Sequence, residues 1–196
     1  MPHKKTITAI CIILITFSLN SCFTKKKDFY AYKYPLVESG KPISIKTNGF
    51  YAPVDVKGRI LFLYENGIAK EGPWVRDYFF NKSKYFDIIN NDWYTQKGKE
   101  YFGCFMIKDS SIQIQLFNIH SSHNPIYRRW VFESSGLITS DTTFVINSNF
   151  EYLNKEEFYE KPVLFKFVPY ENKPDSSNAW FRNKTWYKEN MHDSRR

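Results

Sequence analysis

Ser111-Ile112-Gln113-Ile114-Gln115-Leu116 alternates apolar and polar side chains without a break. Ile112, Ile114 and Leu116 therefore share one face of an extended chain, the pattern of a half-buried antiparallel strand. Just upstream, the apolar run Tyr101 to Ile107 joins it through Lys108-Asp109-Ser110, short and polar enough for a hairpin. Further out, Arg59-Ile60-Leu61-Phe62-Leu63-Tyr64 precedes Glu65-Asn66-Gly67 and Ile68. Asn-Gly predicts a type I′ hairpin turn, because both residues tolerate positive φ. A third hairpin is expected along Tyr127 to Glu133, turning at Ser134-Ser135-Gly136 and returning along Leu137 to Ile146. With Ile43 to Tyr51 and Val163 to Val168, the count reaches eight strands in sequential order.

A meander of β-branched and aromatic strands can bury one face only by folding into a sandwich or closing into a barrel, and closure also removes exposed edges. The expected fold is mainly β, an eight-stranded antiparallel meander barrel over residues 43–169 with one or two short helices. One helix is predicted at Ser83 to Ile89 with Ser83 as cap, the other at Asn154 to Tyr159 with Asn154 as cap and acids in the first turn. No repeat of fixed period and no internal linker argues for a second domain. Composition agrees with one domain. The 196 residues include 18 Phe, 14 Tyr and 5 Trp, enough for a packed core, while 24% charged residues exclude a polytopic helical membrane protein. From about Tyr170 to Arg196 the chain turns polar. This extension is expected to be partly disordered, with Trp180, Phe181 and Trp186 docking on the barrel.

The first 22 residues read as a targeting segment. Lys4 and Lys5 precede an apolar stretch, Ile7 to Leu19, whose 13 residues would span only about 20 Å as a helix, short of the roughly 30 Å bilayer core. That length fits a secretory signal better than a membrane anchor. The stretch ends in Leu19-Asn20-Ser21-Cys22, which resembles a bacterial lipobox through the aliphatic Leu19, the small Ser21 and the cysteine; Asn20 is the imperfect position. The resemblance implies a signal peptide over residues 1–21 and cleavage after Ser21. Cys22 would then carry a thioether-linked diacylglycerol and an N-acyl chain, enough acyl chains for stable anchoring. The plainer alternative is an ordinary cleaved signal with Cys22 as a bystander. Residues 22–42 would form the lipidated cysteine and its tether, in which Lys25, Lys26 and Lys27 could rest on anionic head groups at roughly 1 kcal/mol each. Phe23 after the cysteine implies release to the bacterial outer membrane, and the lack of an acidic cluster there favours the periplasmic leaflet over the surface. Loss of Lys4 and Lys5 lowers the formal charge from +8 to +6, and Cys104 remains as the one thiol that is not lipidated. Its apolar neighbours make it a buried structural cysteine.

Several hairpin segments carry a family resemblance: Lys46-Thr47-Asn48-Gly49-Phe50-Tyr51, Phe62-Leu63-Tyr64-Glu65-Asn66-Gly67, Phe102-Gly103-Cys104-Phe105, and Gly136-Leu137-Ile138 with Asp141-Thr142-Thr143-Phe144. Together they resemble small bacterial lipoproteins with a lipocalin-like β-barrel, most of unassigned function. Gly49-Phe50-Tyr51 is similar in position to the Gly-x-Trp of true lipocalins, with Tyr51 where that family has Trp. The resemblance implies a fold and no particular ligand.

The chemistry-bearing motifs are few. The chain has no Gly-x-Gly-x-x-Gly, Walker loop, His-Glu-x-x-His, Cys-x-x-Cys or Gly-x-Ser-x-Gly. His120-Ser121-Ser122-His123 offers two imidazoles with no carboxylate or thiolate beside them in sequence. It reads as a polar loop rather than a metal or catalytic site, and the chain is expected to be no enzyme, to hold no metal and to need no cofactor beyond its acyl groups. Glu156-Glu157 suits a helix N-terminus, and Asp141 beside Thr142 and Thr143 reads as strand surface. Arg128-Arg129 would point to opposite faces of a strand, so nucleic acid is not an expected partner. The connection Val75 to Glu100 is dense in aromatics. Two readings fit it: a satellite core plugging one barrel end, or a lid over an apolar cavity, with Trp74, Phe79, Tyr85, Trp93 and Tyr94 contacting a ligand. The expected function is an envelope lipoprotein, anchored to a membrane, that binds an apolar or amphipathic small molecule such as a lipid. The alternative is an assembly lipoprotein holding an envelope protein partner.

Overall fold

Every strand pairs with its neighbours in sequence, and the last closes on the first. The computed structural model describes residues 45–54, 58–91, 95, 101–120, 128–151, 157–185 and 187–188. Eight antiparallel strands close in the order β1-β2-β3-β4-β5-β6-β7-β8: β1 (Gly49–Pro53), β2 (Arg59–Leu63), β3 (Ile68–Trp74), β4 (Phe102–Lys108), β5 (Ser111–His120), β6 (Arg128–Ser140), β7 (Thr143–Glu151) and β8 (Glu157–Pro169). Between β3 and β4 lie a helical turn, α1 (Arg76–Phe80), and the helix α2 (Lys82–Asn91). The expected barrel is therefore the observed one. Residues 1–42, where the signal and tether are expected, lie outside the described residues.

Alternation sorts the side chains into an inside and an outside. Tyr51, Leu61, Leu63, Ala69, Phe105, Ile112, Ile114, Ile138, Phe144 and Ile146 form one buried cluster, with Ile107, Leu116, Phe165 and Phe167 packed against it. It draws on all eight strands, so it is the barrel interior. At the end where the chain enters, Ile45 adds to this cluster, and the Tyr51 hydroxyl donates to the carbonyls of Lys46 (3.0 Å) and Asp141 (3.2 Å). Rings of Tyr51 and Phe144 (4.9 Å) and of Phe144 and Phe165 (5.0 Å, stacked) pack across that end as a floor. Each such buried ring stabilises by about 1.5–3 kcal/mol.

The outer wall is covered in two places. Phe50, Ala52, Ile60 and Phe62 on β1 and β2 pack beneath Val75, Tyr85 and Ile89 of the helical connection and beneath Tyr170. Ile68, Phe102 and Cys104 on β3 and β4 pack beneath Ala179, Phe181 and Tyr187 of the C-terminal segment. That segment is also tied by polar contacts. The Tyr64 hydroxyl donates to the Pro174 carbonyl (2.6 Å), Asn66 Nδ2 donates to Ser176 Oγ (3.2 Å), and Lys173 Nζ donates to the carbonyls of Thr47 and Leu63 while lying over the Tyr64 ring. Phe181 is buried and Trp180 half-buried, so the expected docking holds for both; Trp186 and residues 189–196 lie outside the described residues.

Some local expectations are corrected. Ile43 to Tyr51 is not strand throughout: β1 begins at Gly49, because Lys46 N–H donates to the Asp141 carbonyl across the barrel end while Ile45 turns inward. Ser134-Ser135-Gly136 is not a turn. β6 runs through it with a register shift, Ser134 bonds Asn149 across the strands (2.6 Å), and the chain turns instead at Asp141, where Ser140 Oγ accepts from Thr142 N–H. Asp141 is thus an exposed turn residue, not strand surface. The helix expected at Asn154 to Tyr159 is replaced from Glu157 by β8, whose pairing with β7 and β1 closes the barrel and overrides the local capping signal. Residues 154–156 are outside the described set. Asn81, not Ser83, caps α2, its Oδ1 accepting from Lys84 N–H (3.0 Å). The Glu65-Asn66-Gly67 hairpin forms with only Gly67 at positive φ (79°). Gly67 N–H bonds the Tyr64 carbonyl and Tyr64 N–H the Ile68 carbonyl, a type I turn with a glycine bulge rather than type I′.

Burial of ionisable groups gives a pH expectation. Desolvation lowers Lys173 from 10.5 to about 8, so the unfolded chain holds the proton more strongly and the folded state is penalised below about pH 8. The penalty lifts as pH rises from about 8 toward 10.5. In the opposite sense, burial raises the Cys104 thiol and the Tyr51 and Tyr64 phenols, so above about pH 9 to 10 the unfolded chain ionises first and stability falls. The urea midpoint, followed by circular dichroism, is expected to be higher at pH 9 than at pH 7 and to drop again beyond pH 10. A monotonic fall from pH 7 upward would show that Lys173 is not docked as described.

Candidate functional site

Meander topology sends the connections β1–β2, β3–β4, β5–β6 and β7–β8 to the barrel end opposite the floor. The inner wall changes character toward that end. Leu116 and Phe132 on β5 and β6 and Val163 on β8 face inward by register yet are only partly buried, and Ser134 and Asn149 bond each other on the same inner face. On the other side of the wall, alternation along β2 puts Arg59 inward with Leu61 and Leu63, and β3 puts Glu71 inward opposite Leu61. A register shift between Arg59 and Leu61 advances β3, so that Arg59 stands opposite Trp74.

Arg59 is consequently held against three groups. Its Nε lies 3.8 Å from Glu71 Oε2, and its guanidinium lies 5.1 Å from the Trp74 ring and 5.0 Å from the Tyr101 ring. Contacts of this kind add about 0.5–2 kcal/mol each, depending on desolvation. Tyr101 takes a left-handed backbone (φ 62°), unfavourable for a bulky residue, and its carbonyl accepts from Glu71 N–H (3.0 Å). That strain is held by the β3–β4 pairing and sets the ring at Arg59. Side-chain exposure is 29% for Arg59 and 26% for Glu71, so solvent reaches both. Burial raises the Glu71 carboxyl above its usual range, opposed by the nearby Arg59 and Lys70 charges.

Of the described residues expected to contact a ligand, Trp74 alone reaches this group, and it is 53% exposed. Tyr85 is fully buried on the outer wall, its hydroxyl donating to the Pro73 carbonyl (3.3 Å), and its ring packs on Phe50 and Tyr78. Phe79 sits on α1, 55% exposed, edge-on to Tyr78. Trp93 and Tyr94 lie outside the described residues, as do Leu19, Ser21, Cys22 and His123. His120 ends β5 opposite Arg128. The described part of the aromatic connection is thus satellite core on the barrel's flank rather than a plug in its end. Among the described residues no three His, Cys, Asp or Glu side chains gather to hold a metal. Arg59, Glu71 and Tyr101 were not picked out from the sequence. Their signal is a charge at a strand position that alternation assigns to the interior, and for Arg59 the frame 59, 61, 63 contains it. Comparisons with family models, curated proteins and solved structures return no match for this chain.

Proposed function

We propose that this protein is a lipid-anchored envelope lipoprotein whose barrel binds an amphipathic small molecule at the end away from its packed floor. One observation carries the binding part: inward-facing Leu116, Phe132 and Val163 are left partly exposed beside an inner wall that turns polar at Arg59 and Glu71. A site with apolar lining and a few oriented polar groups is the usual form of a small-molecule pocket. Anchoring is supported by the Leu19-Asn20-Ser21-Cys22 layout behind a basic, apolar leader. Phe23 and the lack of an acidic cluster after Cys22 support the outer membrane and its periplasmic leaflet.

Native mass spectrometry of the protein purified from a bacterial envelope without denaturation, followed by solvent extraction, tests the binding part. A discrete extractable mass is the expected result; a bare chain that also retains no fatty acid or lipid below millimolar concentration overturns it. For the anchor, Cys22→Ala is expected to leave a full-length precursor without acyl label in metabolic labelling with palmitate. Normal cleavage and membrane retention without the thiol would remove the lipobox assignment.

A further inference from the structure

Arg59 has the features of a recognition group rather than of a structural ion pair. A guanidinium carries five donors in a rigid fork that matches carboxylate and phosphate. Here the contact to Glu71 is a 3.8 Å approach of Nε, longer than a hydrogen bond, and no hydrogen bond to a described residue holds the guanidinium. The rings of Trp74 and Tyr101 fix its plane without using its N–H groups, and Tyr101 does so from a strained backbone. Below Arg59 on the same face Leu61 and Leu63 are buried in the core, and among the inward apolar residues left partly exposed are Leu116, Phe132 and Val163.

We infer that Arg59 is the head-group site of the barrel, and that its ligand is an amphipathic anion whose carboxylate or phosphate takes the open fork while its chain lies on the partly exposed inner-wall residues Leu116, Phe132 and Val163. The inference rests on the binding reading above and names its ligand class. An incoming anion makes the bidentate contact that Glu71 does not make. Glu71 competes with that anion, so it sets how strongly the site is held. This gives the two residues opposite signs: removing Arg59 weakens anion binding, and neutralising Glu71 strengthens it.

The test is equilibrium dialysis on the full-length protein in phosphatidylcholine nanodiscs, with empty discs subtracted for partition. The probes are labelled decanoate, decyl phosphate and decanol, with acetate and inorganic phosphate as competitors. Decanoate and decyl phosphate are expected to bind at least about tenfold tighter than decanol, the scale of a charge-assisted pair. Acetate and inorganic phosphate at equal concentration are expected not to displace them. Arg59→Gln should erase the anion preference while leaving decanol within about twofold, and Glu71→Gln should tighten both anions severalfold. Equal binding of decanoate and decanol, or an anion preference surviving in Arg59→Gln, overturns the head-group assignment and leaves barrel binding standing. Displacement by acetate or phosphate makes the ligand a free anion and overturns the amphipath. Retention of none of the three probes overturns both readings. If Arg59→Gln fails to fold, Glu71→Gln decides, since unchanged or weaker anion binding in that variant sinks the proposal.

Discussion

Gly103→Ala is expected to prevent the barrel from closing. A Cβ at Gly103 would stand 1.7 Å from the Gln115 carbonyl oxygen and 2.7 Å from the Leu116 Cα, both backbone atoms of the paired strand β5. A side chain can swing away from such an overlap; a carbonyl inside a ladder can move only if the ladder breaks. Gly103 pairs with Leu116, next to Phe105 opposite Ile114, so a break there opens the interior. A loss of at least about 3 kcal/mol is expected, a large share of a single domain's stability. Urea unfolding followed by circular dichroism would show either a strongly lowered midpoint or no folded baseline. Gly136→Ala meets the same kind of obstacle, the Val145 carbonyl at 1.9 Å, and should behave alike. A midpoint within experimental error of the parent for both variants would mean the strands do not approach as described.

Phe181→Ala carries the second large effect, and it separates the C-terminal segment from the barrel. Phe181 is fully buried against Ile68, Phe102, Cys104 and Tyr187, and truncating a buried phenylalanine costs about 3–5 kcal/mol. Residues of the closed barrel hold one another independently of this contact, so the cost should fall first on docking of the segment. Cys104 reports it. The thiol is buried and desolvation raises its pKa, so in the parent it should label slowly. In Phe181→Ala the labelling rate at Cys104, read by peptide mass spectrometry, is expected to rise at least about a hundredfold while the strand signal persists, since about 1.4 kcal/mol of lost protection is a factor of ten. An unchanged rate would place the cover over Cys104 elsewhere.

Sequence and structure agree where the deciding information is local and disagree where it is not. The pairing of β4 with β5 was readable because alternation and a polar turn sit within a few residues of each other, and the register Phe105 to Ile114 is the one that alternation requires. Burial of Cys104 and docking of Phe181 followed from side chains too apolar to leave in water. The misplaced turn at Ser134-Ser135-Gly136 shows the limit: small polar residues suit a turn, but here Ser134 faces inward onto Asn149, and Gly136 makes room for a neighbouring backbone. Both uses depend on β7, which sequence windows do not see. The helix expected from Asn154 onward was lost in the same way to a ladder that joins β8 to β1. At the candidate site, Arg59 and Glu71 meet through a register shift between β2 and β3, and Trp74 meets Arg59 only because of that shift. The aromatic density after Val75 was visible, yet its role on the outer flank depended on where α2 packs.

The closing seam has a kinetic consequence. Seven of the eight strand pairings join neighbours in the chain, but Gly49 meets Pro169 and Tyr51 meets Phe167 only after nearly the whole barrel has been made. The entropy of bringing distant ends together grows with the logarithm of their separation, so this seam is the last contact to become worthwhile and sets the folding rate. Until it zips, β1 and β8 are both unpaired edges carrying Phe50, Tyr51, Phe165 and Phe167, a sticky pair of ribbons. A chain synthesised from its N-terminus must keep the first ribbon from sticking to other molecules until the last arrives.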